Sequence, residues 1–172
     1  CQVVSSMSLL KQPLLILTLI TSLVVSACGF KPVNTPGGTG DALYGEVVIA
    51  FPDLPDSTGD RNAYFLVRDL EQRLGRTSSG NYQLDLTLAT RTEGQAITAD
   101  NSITRYSIIG SVGYSLTRQS DGAVMASGSE TNFTGYSATG STVETLAGER
   151  DAFERLMRIL ADQVAARLLA TA

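Results

Sequence analysis

Tyr82-Gln83-Leu84-Asp85-Leu86-Thr87-Leu88-Ala89 alternates large apolar side chains with polar or small ones. A period of two puts Tyr82, Leu84, Leu86 and Leu88 on one face of a strand and Gln83, Asp85 and Thr87 on the other, so one face is buried. Downstream, Tyr106, Ile108, Gly110, Val112, Tyr114 and Leu116 share one parity while Ser107, Ser111, Ser115 and Thr117 fill the other, a long third strand. Ser120-Asp121-Gly122 is a hairpin signal. It returns the chain from Val124 to Phe133 as a fourth strand, whose mixed parity predicts a bulge near Gly128. Upstream, Glu46-Val47-Val48-Ile49-Ala50-Phe51 reads as a β-branched and apolar strand ended by Pro52.

Cover for the sheet comes from two helical stripes. From Arg61 onward Ala63, Leu66, Val67, Leu70 and Leu74 recur at helical spacing until Gly75 stops the run. Near the end of the chain Phe153, Leu156, Met157, Leu160, Val164 and Leu168 form a second stripe, with Glu149 and Asp151 placed near its start and Arg167 near its end. The order β-α-β-β-β-α predicts an α+β two-layer sandwich: a four-stranded sheet covered by two helices on one face, with a right-handed crossover and the other face left available.

The amino-terminal segment is a different kind of sequence. Pro13 to Val25 is an apolar run with the length of a signal-peptide core, shorter than the roughly 20 residues of a membrane span. Lys11 is the one charge before it, and Met7 reads as the true start. Val25-Ser26-Ala27-Cys28 resembles the bacterial lipobox, in which the cysteine is diacylated and becomes the mature terminus. Gly29 follows in place of Asp, which by that resemblance implies the outer membrane. The expected organisation is therefore a signal peptide over 1–27, a lipid anchor and tether over 28–43 and one domain over 44–172. Pro32, Pro36, Gly37, Gly38 and Gly40 make the stretch Phe30 to Asp41 a segment expected to hold neither helix nor central strand.

Charge and composition exclude several functions. The chain has 13 Lys plus Arg against 17 Asp plus Glu. Loss of Lys11 with the signal peptide leaves 12 against 17, a net of −5. Such a balance lacks the positive field of a phosphate-backbone binder, so nucleic acid is not an expected partner. With no histidine and only Cys1 and Cys28, the chain offers no imidazole-based triad, no histidine metal centre and no disulfide framework; no cofactor and no metal are expected. Asp53, Asp56 and Asp60 cluster in one loop, but their spacing fails the EF-hand pattern and reads as a solvated turn before a helix. Gly37-Gly38-Thr39-Gly40 lacks the preceding strand and following Lys of a phosphate loop, and Asn132-Phe133-Thr134 reads as strand. A hydrolase would have to use carboxylates such as Asp85 with Glu130; a solvated sheet face is the better reading of Asp85. Arg91, Arg105 and Arg118 at strand ends are the groups suited to gripping an anion in two-pronged fashion.

Taken in order, Cys28-Gly29-Phe30, the strand Glu46 to Phe51, the stretch Arg105-Tyr106-Ser107-Ile108-Ile109-Gly110-Ser111-Val112-Gly113-Tyr114-Ser115-Leu116 and the closing helix at Asp151-Ala152-Phe153 resemble the lipopolysaccharide-assembly lipoprotein family, LptE. The resemblance covers nearly the whole mature chain. It implies a non-enzymatic outer-membrane lipoprotein, facing the periplasm, that plugs the lumen of the translocon β-barrel LptD, assists that barrel's assembly and binds lipopolysaccharide. In better-known members basic residues between strands two and three and just before the last helix are implicated in that binding. The corresponding places here fall near Asp100 and Gly148 and lack a cation, leaving Arg91, Arg105 and Arg150 as the neighbours that can substitute. Two other classes stay open on the sequence: a carboxylate-based cell-envelope hydrolase, which needs a deep cleft converging on two carboxylates, and a small lipid-binding or structural lipoprotein without a barrel partner.

Overall fold

In the computed structural model, which describes residues 36–52, 60–97 and 102–171, the period-two stretch at Tyr82 opens the longest ladder of the molecule. The elements are α1 (Thr39–Leu43), β1 (Val47–Ile49), α2 (Asp60–Leu74), β2 (Tyr82–Ile97), β3 (Ile103–Arg118), β4 (Val124–Ser137) and α3 (Thr142–Thr171). The sheet order is β1-β2-β3-β4, with β1 parallel to β2 and the other pairs antiparallel. The predicted α+β sandwich is therefore the fold, with α1 added at its start.

Leu84, Leu86 and Leu88 on β2 and Ile108, Val112 and Leu116 on β3 point into one core with Leu66 and Leu70 of α2 and Leu156, Leu160, Val164 and Leu168 of α3. Gly110 shows how closely α3 presses on the sheet. A Cβ there would lie 3.0 Å from both Leu156 and Leu160 side chains, so any other residue would push these leucines back by a few tenths of an ångström. The two helices are tied at their seam by Arg68, which meets Asp69 at 3.0 Å and Glu154 at 3.1 Å, and by the Arg73 and Asp162 pair.

Four expectations change. First, α1 begins inside Phe30 to Asp41, the stretch expected to hold no helix. Leu43 is 2% exposed and Asp41 accepts the Gly37 N–H at 3.1 Å, so burial of one side chain and a local carboxylate outweigh poor helix propensity. Second, β2 continues past Ala89 to Ile97, pairing Arg91 with Ile109 and Ala96 with Arg105. Residues 90–95 are exposed, beyond the helical cover, so their ladder carries no apolar alternation to be read. Third, the bulge sits at Met125: Leu116 pairs with Ala126 and Thr117 with Val124, while Gly128 pairs regularly with Tyr114. Gly128 instead makes room for the Tyr114 ring, whose hydroxyl oxygen lies 2.6 Å from where a Cβ would stand.

Fourth, α3 begins at Thr142, so Glu149 and Asp151 lie in its body. Ser141-Thr142-Val143-Glu144 forms a capping box: the Ser141 N–H donates to Glu144 Oε2 at 2.7 Å and the Glu144 N–H to Ser141 Oγ at 3.4 Å. The Ser141 amide holds the Glu144 carboxyl below the usual carboxylate range. A depressed folded-state pKa means that this contribution is present at neutral pH and is lost as pH falls through it. Ser141→Ala should cost about 0.5 to 1 kcal/mol in chemical denaturation, the low end for a cap because the Oγ contact is long.

Candidate functional site

The register sorts side chains between the two sheet faces. Even-numbered residues of β2 before its irregularity, and of β3 and β4 up to the bulge, face the helices; odd-numbered residues face away. The helix-free face is therefore dominated by hydroxyls and small residues, among them Thr87, Ser107, Ser111, Ser115 and Ser129. The Thr131 hydroxyl donates to Ser111 Oγ at 3.1 Å, and the Ser111 and Ser129 hydroxyls lie 3.4 Å apart. A shallow groove crosses this face between Asp85, Thr87, Gly113, Ser115 and Ser127.

The carboxylates weighed as an acid and base pair do not meet. Asp85 is on the helix-free face and accepts from Gln83 Nε2 at 2.9 Å, whereas Glu130 is on the helix side and receives Arg167 Nε at 2.9 Å. The sheet itself, with β3 between them, separates the two. The aspartate-rich loop before α2 lies mostly outside the described residues, as do Cys28 and Asp100.

The arginines divide in the same way. Arg91 and Arg105 are on the helix-free face near the end where β2 meets β3, four β3 positions apart through the Arg91 and Ile109 pair, about 13 Å along the strand. Arg91 is held by Glu93 at 2.9 Å. Arg105 lies over Gly135, whose absent Cβ would come within 3.8 Å of Arg105 Nε. Arg150 is exposed on α3, on the other side of the sheet, two residues from the place where Gly148 approaches Tyr136. Gly148 itself lies in the second turn of α3 and not before the helix. Arg118 is at the opposite end of β3, bound to Asp121 at 3.1 Å.

Around this end of the sheet the structure adds groups that the sequence reading did not single out. Tyr106 and Tyr136, opposite one another on β3 and β4, stack with centroids 5.3 Å apart and an interplanar angle of 17°. Burial, with Glu149 and Tyr106 nearby, raises the Tyr136 hydroxyl pKa. Ile103, Val143 and Leu146 are exposed apolar side chains at the same end. Shared parity with Ile108 signalled Tyr106; Val143 and Leu146 were legible only once the helix start at Ser141 was recognised. The tyrosine pair is on the helix side of the sheet and Arg91 and Arg105 are on the other, so these groups do not converge on one face.

Residues 48–168 match the lipopolysaccharide-assembly family LptE. The chain belongs to the LptE family. The LptE match spans everything from β1 to the last turn of α3. Among solved structures, a lipoprotein of Caulobacter crescentus has a TM-score of 0.56 at 22% identity, covering 77% of this chain and 93% of that one. Lipoprotein B of Nitrosomonas europaea has a TM-score of 0.56 at 13% identity, covering 83% and 91%. A minor lipoprotein of Acinetobacter baumannii has a TM-score of 0.51 at 19% identity, covering 74% and 93%. At these identities the three share the LptE fold with this chain. Among curated proteins none matches the sequence significantly. No helix among the described residues is long and apolar enough to cross a membrane.

Proposed function

We propose that this LptE-family protein plugs the translocon β-barrel LptD, supports that barrel's assembly and turns over no substrate. The family match over residues 48–168 carries the reading. Signal-peptide removal before Cys28 and acylation of that residue would hold the protein on the periplasmic face of the outer membrane. Several long acyl chains, each buried CH2 contributing about 0.8 kcal/mol, give essentially permanent attachment.

Lipopolysaccharide would be met at the end of the sheet bearing Arg91, Arg105 and Arg150. A phosphate-bearing glycolipid needs cations for its head group and apolar surface for its chains; Arg150 shares a helix face with the exposed Leu146, four residues before it, and Arg105 is two residues from the exposed Ile103 on β3. A net charge of −5 gives no long-range pull on such an anion, so attraction must come from these local arginines, within about one Debye length. Because the arginines sit on two sides of the sheet, they are best neutralised separately: Arg91→Gln with Arg105→Gln on one side, Arg150→Gln on the other. Each set should weaken binding of purified lipopolysaccharide in titration while leaving barrel recovery from solubilised outer membranes unchanged. Recovery of the tagged protein without a large β-barrel would defeat the plug reading, and unchanged glycolipid affinity in both sets would defeat the arginine assignment alone.

A further inference from the structure

β4 is an edge strand of 14 residues containing neither Pro nor Lys, two common devices by which proteins guard such edges. In an antiparallel pair, residues that exchange hydrogen bonds alternate with residues whose N–H and C=O point away. Ala138 N–H donates to Thr104 O at 2.9 Å, which fixes the even positions of β4 as the ones bonded to β3. The odd positions therefore direct their backbone groups out of the sheet. Two contacts agree: Phe133 N–H is taken by Asn132 Oδ1 at 2.8 Å, and Gly135 O accepts Arg155 Nη2 at 3.2 Å.

Those side chains close one end of the edge, and the bulge at Met125, whose sulfur receives Arg118 Nη2 at 2.9 Å, closes the other. Between them Ser127, Ser129 and Thr131 present outward backbone groups with no partner strand among the described residues. The one charge in β4, Glu130, is already neutralised by Arg167 and is on the helix side.

We propose that in the protein outside the barrel this open stretch pairs with the same stretch of a second copy, antiparallel about a two-fold axis at Ser129, making one eight-stranded sheet that parts before a single copy plugs the lumen. The stretch is complementary to itself. With Ser129 opposite itself, Ser127 meets Thr131, all three are hydrogen-bonding positions, and about six backbone hydrogen bonds form without displacing Asn132 or Arg155. On the helix side Glu130 falls opposite Gly128, so no like charges oppose one another. The turns of α3 around Arg167 expose Ala166 and Ala170, short side chains that do not hold a second helix layer away.

Analytical ultracentrifugation of the full chain in mild detergent should show a concentration-dependent dimer. Ser129→Pro removes an N–H that bonds nothing within its own sheet, so it should leave the circular dichroism spectrum intact while weakening dimerisation by about tenfold or more, the effect of losing a hydrogen bond in each copy. Ser129→Cys should cross-link to itself on mild oxidation, since facing hydrogen-bonded positions lie about 5.5 Å apart between Cα atoms. Ser111→Cys, three strand spacings across and four residues along from its counterpart and so about 20 Å away, should not. A monomer at all concentrations, a dimer undiminished in Ser129→Pro, or Ser111→Cys cross-linking as readily as Ser129→Cys would each overturn the proposal. If Ser129→Pro fails to fold, the cysteine comparison decides. Recovery of the barrel is a separate readout, so loss of self-pairing and loss of the plug reading are distinguishable.

Discussion

Leu160→Ala should destabilise the protein by about 2 to 5 kcal/mol, the cost of lost burial plus a cavity that the surroundings fill only in part. Leu160 is 0% exposed and lies against β3 at Gly110, where even an added Cβ would crowd it at 3.0 Å. The opposite wall has little freedom to collapse into the vacancy, because Ile108 and Val112 are themselves fully buried. Arg158, two residues earlier, turns outward with a side chain 53% exposed and a loose 3.7 Å pair to Glu154. Arg158→Ala should change stability by no more than about 0.5 kcal/mol. Thermal or urea denaturation of the two variants side by side checks the register of α3. Equal costs, or the reverse ranking, would show that the stripe through Leu156, Leu160 and Val164 does not face the sheet.

Cys28→Ser should move nearly all of the protein from the membrane fraction to the soluble fraction. The prediction rests on the proposed lipobox, in which this cysteine is the sole attachment point. The first described helix, α1 with its buried Leu43, starts eleven residues after Cys28, so the soluble variant should melt at the same temperature as the parent stripped of its acyl chains. Fractionation in the native host measures the first effect. Intact mass measurement on the parent identifies the mature terminus. A terminus other than an acylated Cys28, or a Cys28→Ser variant that remains in the membrane, would sink the anchor assignment.

The sequence showed most clearly those elements in which one face meets the core. Leu84, Leu86 and Leu88 alternate because helices cover one side of β2 there; from Thr90 to Gln95 both sides are exposed and the same strand loses its signature. The start of α3 was written in Ser141 and Glu144, but a cap is a local hydrogen-bond pattern and does not register in apolar spacing. Arg91, Arg105 and Arg150 could be nominated by charge alone. Their division between two sides of the sheet depends on strand register and helix placement, which no single segment encodes.

By itself, then, the order of periodic segments determined the α+β sandwich, since a period of two and a period of 3.6 each demand a particular partner surface. The absence of histidine settled which chemistries are unavailable, because side-chain type limits what can be built. Only the tertiary structure decided that Asp85 and Glu130 stand on opposite faces, that Leu43 draws a glycine-rich segment into a helix, and that Ser127 to Thr131 remain an open edge. Each of these outcomes is set by contacts between residues far apart in sequence, where packing and backbone hydrogen bonding outweigh local preference.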